Sequence, residues 1–185
     1  MLRTTERDAA WMTRIVARMT PSHVLAMIEA GQIQDPVIKD ELTRVVLGRR
    51  QKVLARWLSR LSALTDPRLV VTAGGTALCM EDLAITTGVS TTALRRYGGR
   101  AWLGERLAPA PVSLVQTSPS VCVGLPEVGG GVAATPDHPR YLVVDLFAQA
   151  GSQAHTPARV HLYHLGGTDY RIVGLERPYD DDPPS

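Results

Sequence analysis

Three stretches near the end of the chain, Tyr141-Leu-Val-Val-Asp-Leu-Phe147, Arg159-Val-His-Leu-Tyr-His-Leu165 and Tyr170-Arg-Ile-Val-Gly-Leu-Glu-Arg177, decide how the rest is read. In the first, Leu142, Val144, Leu146 and Ala148 recur at a period of two, the repeat of a β-strand that buries one face. Its other face carries Tyr141, Val143, Asp145 and Phe147, a mixture suited to a partly covered surface. Between the second and third stretches, Leu165-Gly-Gly-Thr-Asp169 supplies glycines that tolerate positive φ, so the two strands are expected to form an antiparallel hairpin. A sheet with one oily face needs a second layer, and the earlier chain has to supply it.

The composition permits one fair core or two small ones, with 44% apolar and 21% charged residues in 185. Net charge is only +2, yet residues 1–65 carry eleven Arg and Lys against six Asp and Glu, while the tail holds Asp180-Asp181-Asp182. No apolar run approaches the length of a membrane span, and the opening is too charged for a signal peptide. As written, the chain is expected in the cytoplasm; as a fragment of an exported protein it would belong to the cell envelope or outside. Cys79 and Cys122 are expected as buried thiols, with a disulfide as the alternative under the exported reading.

In chain order, Trp11, Met12, Ile15, Val16 and Met19 recur at helical spacing, with Arg7, Arg14 and Arg18 turned away. Thr20-Pro21 and Asp35-Pro36 each offer an N-cap followed by proline at the first helical position. They open a short helix ending near Gly31 and a long one running through Leu61 and Leu64 to a stop before Pro67. Leu69–Val71, Val112–Val115 and Val121–Leu125 read as strands, Gly74-Gly75 as a turn, and Gly129-Gly130-Gly131 to Pro139 as a flexible loop. The expected fold is α+β: a three-helix segment, 1–66, packed on or beside a mainly antiparallel sheet or β-sandwich, 67–178. A disordered acidic tail, 179–185, completes it.

Two features point toward contacts. Arg44, Lys52, Arg56 and Arg60 step along the long helix at intervals set by fours and form a basic ridge, suited to a solvated face or to a contact with phosphate, anionic lipid or an acidic protein surface. Arg49 and Arg50 nearby are expected to pair with carboxylates of the second half. Asp82 to Tyr97 resembles the helix-turn-helix of bacterial regulators: Ala84 is small where helices would cross, Gly88 stands at the turn, and Leu83, Val89 and Leu94 point inward. Under that alternative, Thr91, Thr92, Arg95 and Arg96 would face DNA. Gly98-Gly99 would end the second helix early, and the domain is barely basic, so nucleic acid is not the favoured partner.

Signs of catalysis are sparse. The chain has no Gly-x-Ser-x-Gly elbow, no phosphate loop and no His-Glu-x-x-His. His161 and His164 stand three apart on one strand and so face opposite ways, which keeps them off a common metal ion. Asp145, His161 and Arg171 are expected to converge on the mixed sheet face as cross-strand polar neighbours. No cofactor, no metal and no catalytic residue is assigned.

Arg7-Asp-Ala-Ala-Trp-Met12, Gly31-Gln-Ile-Gln-Asp-Pro36, Leu47-Gly-Arg-Arg-Gln-Lys-Val-Leu54, His161-Leu-Tyr163 and Gly174-Leu-Glu-Arg-Pro178 together resemble the C-terminal part of larger uncharacterised bacterial proteins. The resemblance covers most of the chain and implies an end module with no activity to carry over. A non-catalytic binding or interaction module is the function these residues favour, its partner another protein or the remainder of its own parent chain.

Overall fold

The computed structural model describes residues 5–59, 62–116, 120–126, 133–150, 156–178 and 184. Three helices open the chain: α1 (Glu6–Arg18), α2 (Pro21–Ala30) and α3 (Pro36–Leu58). Each starts on a side chain that satisfies otherwise orphaned amides: Thr5 and Thr20 in capping boxes with Asp8 and His23, and Asp35 accepting from Val37 and Ile38. The expected caps at Thr20 and Asp35 therefore hold. The expected end of the third helix does not: α3 stops at Leu58, and Leu64 already belongs to a strand, three residues inside the segment expected to be helical.

Among the described residues, nine strands follow. They are β1 (Leu64–Thr72), β2 (Gly75–Asp82), β3 (Arg95–Leu103), β4 (Ala108–Pro111), β5 (Leu114–Gln116), β6 (Ser120–Gly124), β7 (Arg140–Ala150), β8 (Ala158–Gly166) and β9 (Asp169–Glu176). A single turn, α4 (Leu83–Thr86), lies between β2 and β3. All the pairings are antiparallel, in two sheets ordered β1-β2-β6-β5 and β4-β3-β7-β8-β9. Pro67, read as a helix stop, instead sits in a bulge of the edge strand β1, beside Asp66 at φ +49°. A bulge on an edge is where a strand tolerates a residue without an N–H.

The β7 alternation is realised: Leu142, Val144, Leu146 and Ala148 are fully buried. They meet Leu64, Leu78, Met80, Val121 and Val123 of the other sheet in one core made wholly of strand residues. The expected α+β sandwich with helices at the front is thus present, and each sheet is sealed by the other. The helices attach beside it through a smaller cluster of Ala17, Leu54, Leu58, Ala63, Leu83 and Ala84, at the end where β1 begins and β2 finishes. Gly99 permits the sheets' close approach, since a Cβ there would lie 2.7 Å from Val112 Cγ2 and 3.3 Å from Val123 Cγ1. At the β8–β9 hairpin, Gly166 and Gly167 take φ of +119° and +53°, as the turn requires.

Two expectations are corrected by side-chain placement. Cys79 and Cys122 are directly opposed on β2 and β6 and form a disulfide. The α1 helix turns its small residues Ala9, Ala10, Thr13 and Ala17 inward and leaves Trp11, Met12 and Ile15 in water. Arg14, expected to face away, is turned in to donate to the Ala10 and Ser62 carbonyls. The triple glycine and the acidic run 180–182 lie outside the described residues.

Candidate functional site

The outer face of the five-stranded sheet collects the polar residues of the mixed pattern. Arg100 and Trp102 of β3, Asp145, Val143 and Tyr141 of β7, and Arg159, His161 and Tyr163 of β8 lie in register across it. Asp145 is fully buried and accepts two hydrogen bonds from Arg159, at 2.8 and 2.9 Å. Arg100 Nε reaches it at 3.3 Å and Trp102 Nε1 at 3.4 Å. Arg100 also stacks over Trp102 and Phe147, with its guanidinium carbon 5.3 and 4.9 Å from the ring centroids. A buried carboxylate needs such compensation, and this one is occupied by structural partners.

The expected convergence of Asp145, His161 and Arg171 divides in two. His161 belongs to a separate chain of contacts, its Nδ1 2.5 Å from the Tyr141 hydroxyl and its Nε2 3.3 Å from Glu176. Burial raises the Tyr141 phenol above its ordinary range, helped by Tyr163 and Glu176 and opposed by Arg159. The Tyr141 hydroxyl and His161 Nδ1 share one hydrogen bond, and Nε2 on the other side of the ring faces the Glu176 carboxylate. Arg171 stands opposite Tyr163, exposed. A cleft of about 960 Å³ opens beside Tyr141 and Tyr163, walled by residues 103–106 and 137–140. His164 faces the other side of the sheet, as its spacing from His161 requires, and stacks on Tyr170. Among the described residues no three His, Cys, Asp or Glu side chains are grouped to hold a metal.

The segment from Asp82 to Tyr97 does not form two helices. After the single turn of α4 come a loop, a 3-10 turn at Thr92–Leu94, and then β3, which starts at Arg95. Asp82, fully buried, caps α4 through Ala84 N and accepts from Arg95 Nε and the Tyr97 hydroxyl, each at 2.8 Å. Tyr97 is pushed up to about 12 by burial first and by its bond to the Asp82 carboxylate second. Arg95 is thus a buried ion-pair partner. Thr91 and Thr92 are exposed, and Arg96 folds back on the Ala93 and Arg95 carbonyls. The four residues expected to face DNA share no helix, because a strand begins where the recognition helix would have run.

The helical segment offers a different kind of surface. Of the expected basic ridge, Arg44 pairs with Glu41, Lys52 is exposed, and Arg56 lies over the Trp57 ring at 5.3 Å. Arg60 lies outside the described residues. Arg50 donates to the Val16 and Ala17 carbonyls at the C-terminal end of α1, where a cation suits the helix dipole, and not to a carboxylate of the second half. At the seam with the sandwich, burial draws Arg177 down to about 9, with Arg14 contributing, and Arg14 itself to about 10. Both guanidiniums bond main-chain carbonyls there.

Between and beside these cations lie large apolar side chains with little cover: Trp11, Met12 and Ile15 on α1, Leu25 and Met27 on α2, and Val37, Ile38, Leu42, Val46 and Val53 on α3. On α3 the buried line is Leu54 and Leu58, continued by half-buried Thr43, Leu47 and Arg50. Ile38, Leu42, Val46 and Val53 form a second line roughly a third of a turn away. The signal was present as apolar residues spread around most of the helix, which a search for a single amphipathic face passes over. Monomeric proteins seldom leave so much apolar surface in one region. Among the described residues, no helix is long and apolar enough to cross a membrane. No protein-family model, curated protein or solved structure matches the chain.

Proposed function

We propose that this chain is a non-catalytic interaction module whose helical segment binds another protein or the remainder of its own parent chain. The observation that carries this is the outward placement of the apolar lines on α1, α2 and α3. The sandwich is already complete without those residues, so their exposure serves no purpose in its core. Burying a large aliphatic side chain stabilises a complex by about 1.5–3 kcal/mol before entropic costs, and such a surface is suited to a stable partner. Lys52 and Arg56 add exposed positive charge toward the C-terminal end of α3, beside this surface. The Cys79–Cys122 disulfide supports an oxidising compartment, in keeping with the end module of an exported protein.

The test is site-specific photo-crosslinking in the native host. A photoreactive residue replacing Trp11 or Ile38 is expected to trap discrete protein adducts, and the same residue at exposed Thr168 on the β8–β9 turn is not. Equal labelling at all three positions, or none at the helical ones, overturns the proposal.

A further inference from the structure

We infer that the occupant of the exposed α3 line is a second copy of this chain, its α3 running antiparallel about a two-fold axis at Leu42. The inference rests on reading the helical segment as a binding surface and names what binds there. Asp35, Ile38, Leu42, Val46, Arg49 and Val53 follow one another in steps of three and four. At 3.6 residues per turn all six fall within about 40° of the Leu42 direction. Ile38, Leu42, Val46 and Val53 are 50%, 37%, 37% and 39% exposed, and Asp35 and Arg49 are exposed as well.

From Asp35 to Arg49 the order of residues along this line matches its own reverse, and Val53 lies beyond it, level with the turn before the partner's α3. When a second α3 is laid against the first, antiparallel and centred on Leu42, Leu42 meets Leu42 and Ile38 meets Val46. At each end Asp35 meets Arg49. A two-fold interface requires this self-complementarity, since a residue that meets another must be met by it in turn. The charges add to the match, because the Asp35 carboxylate of each copy stands opposite the Arg49 guanidinium of the other. Lys52 and Arg56 project past the start of the partner's α3, so the two basic ends diverge and do not oppose each other.

The four apolar side chains of the line, 37–50% exposed, leave roughly 300 Å² per copy uncovered, the apolar centre of an interface whose flanking polar groups supply the rest of the ~800 Å² per partner of a stable complex. Two α3 helices joined in this way bury between them the apolar line that neither covers alone.

Sedimentation and light scattering on the full chain give the test. The expected species at about 100 μM is a dimer of twice 20.0 kDa. Leu42→Glu places two carboxylates at the axis and is expected to weaken the dimer by about 100-fold or more. Asp35→Arg or Arg49→Asp alone weakens it, and the two together restore it; circular dichroism of each variant monitors the helix that Asp35 caps. A monomer at every concentration, or a dimer indifferent to Leu42→Glu and to the charge exchange, overturns the inference. If the chain is monomeric yet a photoreactive residue at Leu42 traps a different protein, self-pairing falls and the binding role stands. If it traps nothing, both fall.

Discussion

Replacing Asp145 by alanine is expected to destabilise the sandwich by about 3–5 kcal/mol, the range for removing one member of a buried ion pair. The structure sets this magnitude. Arg159 has a side chain only 5% exposed, and its two short bonds go to the Asp145 carboxylate, so the substitution leaves a guanidinium enclosed between strands with its charge partner removed. Arg100 suffers less, being 32% exposed and able to turn to water. Against a total stability of about 5–15 kcal/mol for a domain, the loss is a large fraction. The informative comparison is the double variant Asp145→Leu with Arg159→Met, which removes both charges and fills the space with apolar atoms. It should lie within about 1–2 kcal/mol of the parent, because the desolvation that the pair had to overcome disappears with it. Urea unfolding followed by circular dichroism and tryptophan fluorescence, with the disulfide kept intact, reads all three proteins. A single variant that costs less than about 1 kcal/mol, or a double variant worse than the single one, would refute the assignment of Asp145 as the counter-charge of Arg159.

Replacing both Cys79 and Cys122 by alanine should cost about 4 kcal/mol, from the loop entropy of a separation of 43 residues, and a melting temperature unmoved by reductant in the parent would contradict it. Gly99→Ala forces a Cβ against Val112 and Val123 and should cost about 1–3 kcal/mol by thermal melting; a stabilised variant would show that the sheets have room to part. Tyr97 binds its proton more tightly folded, at about 12, than unfolded, near the ordinary 10. Its contribution to stability is therefore complete below pH 10 and is lost between pH 10 and 12. Absorbance titration at alkaline pH should show a late phenol that vanishes in Tyr97→Phe, and simultaneous ionisation of all five tyrosines near pH 10 would refute the buried bond to Asp82.

The parts of the fold that were legible in sequence are those specified locally. The alternation of Leu142 to Ala148, the glycines at 166 and 167, and the caps at Thr20 and Asp35 each depend on a few neighbouring residues, and each appears where it was expected. Strand β3 was hidden because Gly98 and Gly99 read as a break, whereas Gly99 is there to let the opposite sheet approach. The disulfide depends on the register of β2 against β6, which nothing local to either cysteine specifies. The α1 helix was read backwards because it has one face of large apolar residues and another of small ones, and close packing on α3 selects the small face. Of the candidate surface, the cations of α3 are visible from their spacing, whereas nothing in the spacing of the apolar residues beside them says which of them the fold leaves uncovered.

The covalent bond between Cys79 and Cys122 joins two strands of one layer, yet the length of chain it closes contains β3 and β4, which belong to the other. The ring so formed threads through both halves of the molecule. A protease that cut the exposed turn at Glu105-Arg106 would accordingly release no fragment until the sulfurs were reduced, and the nicked protein would travel as one piece.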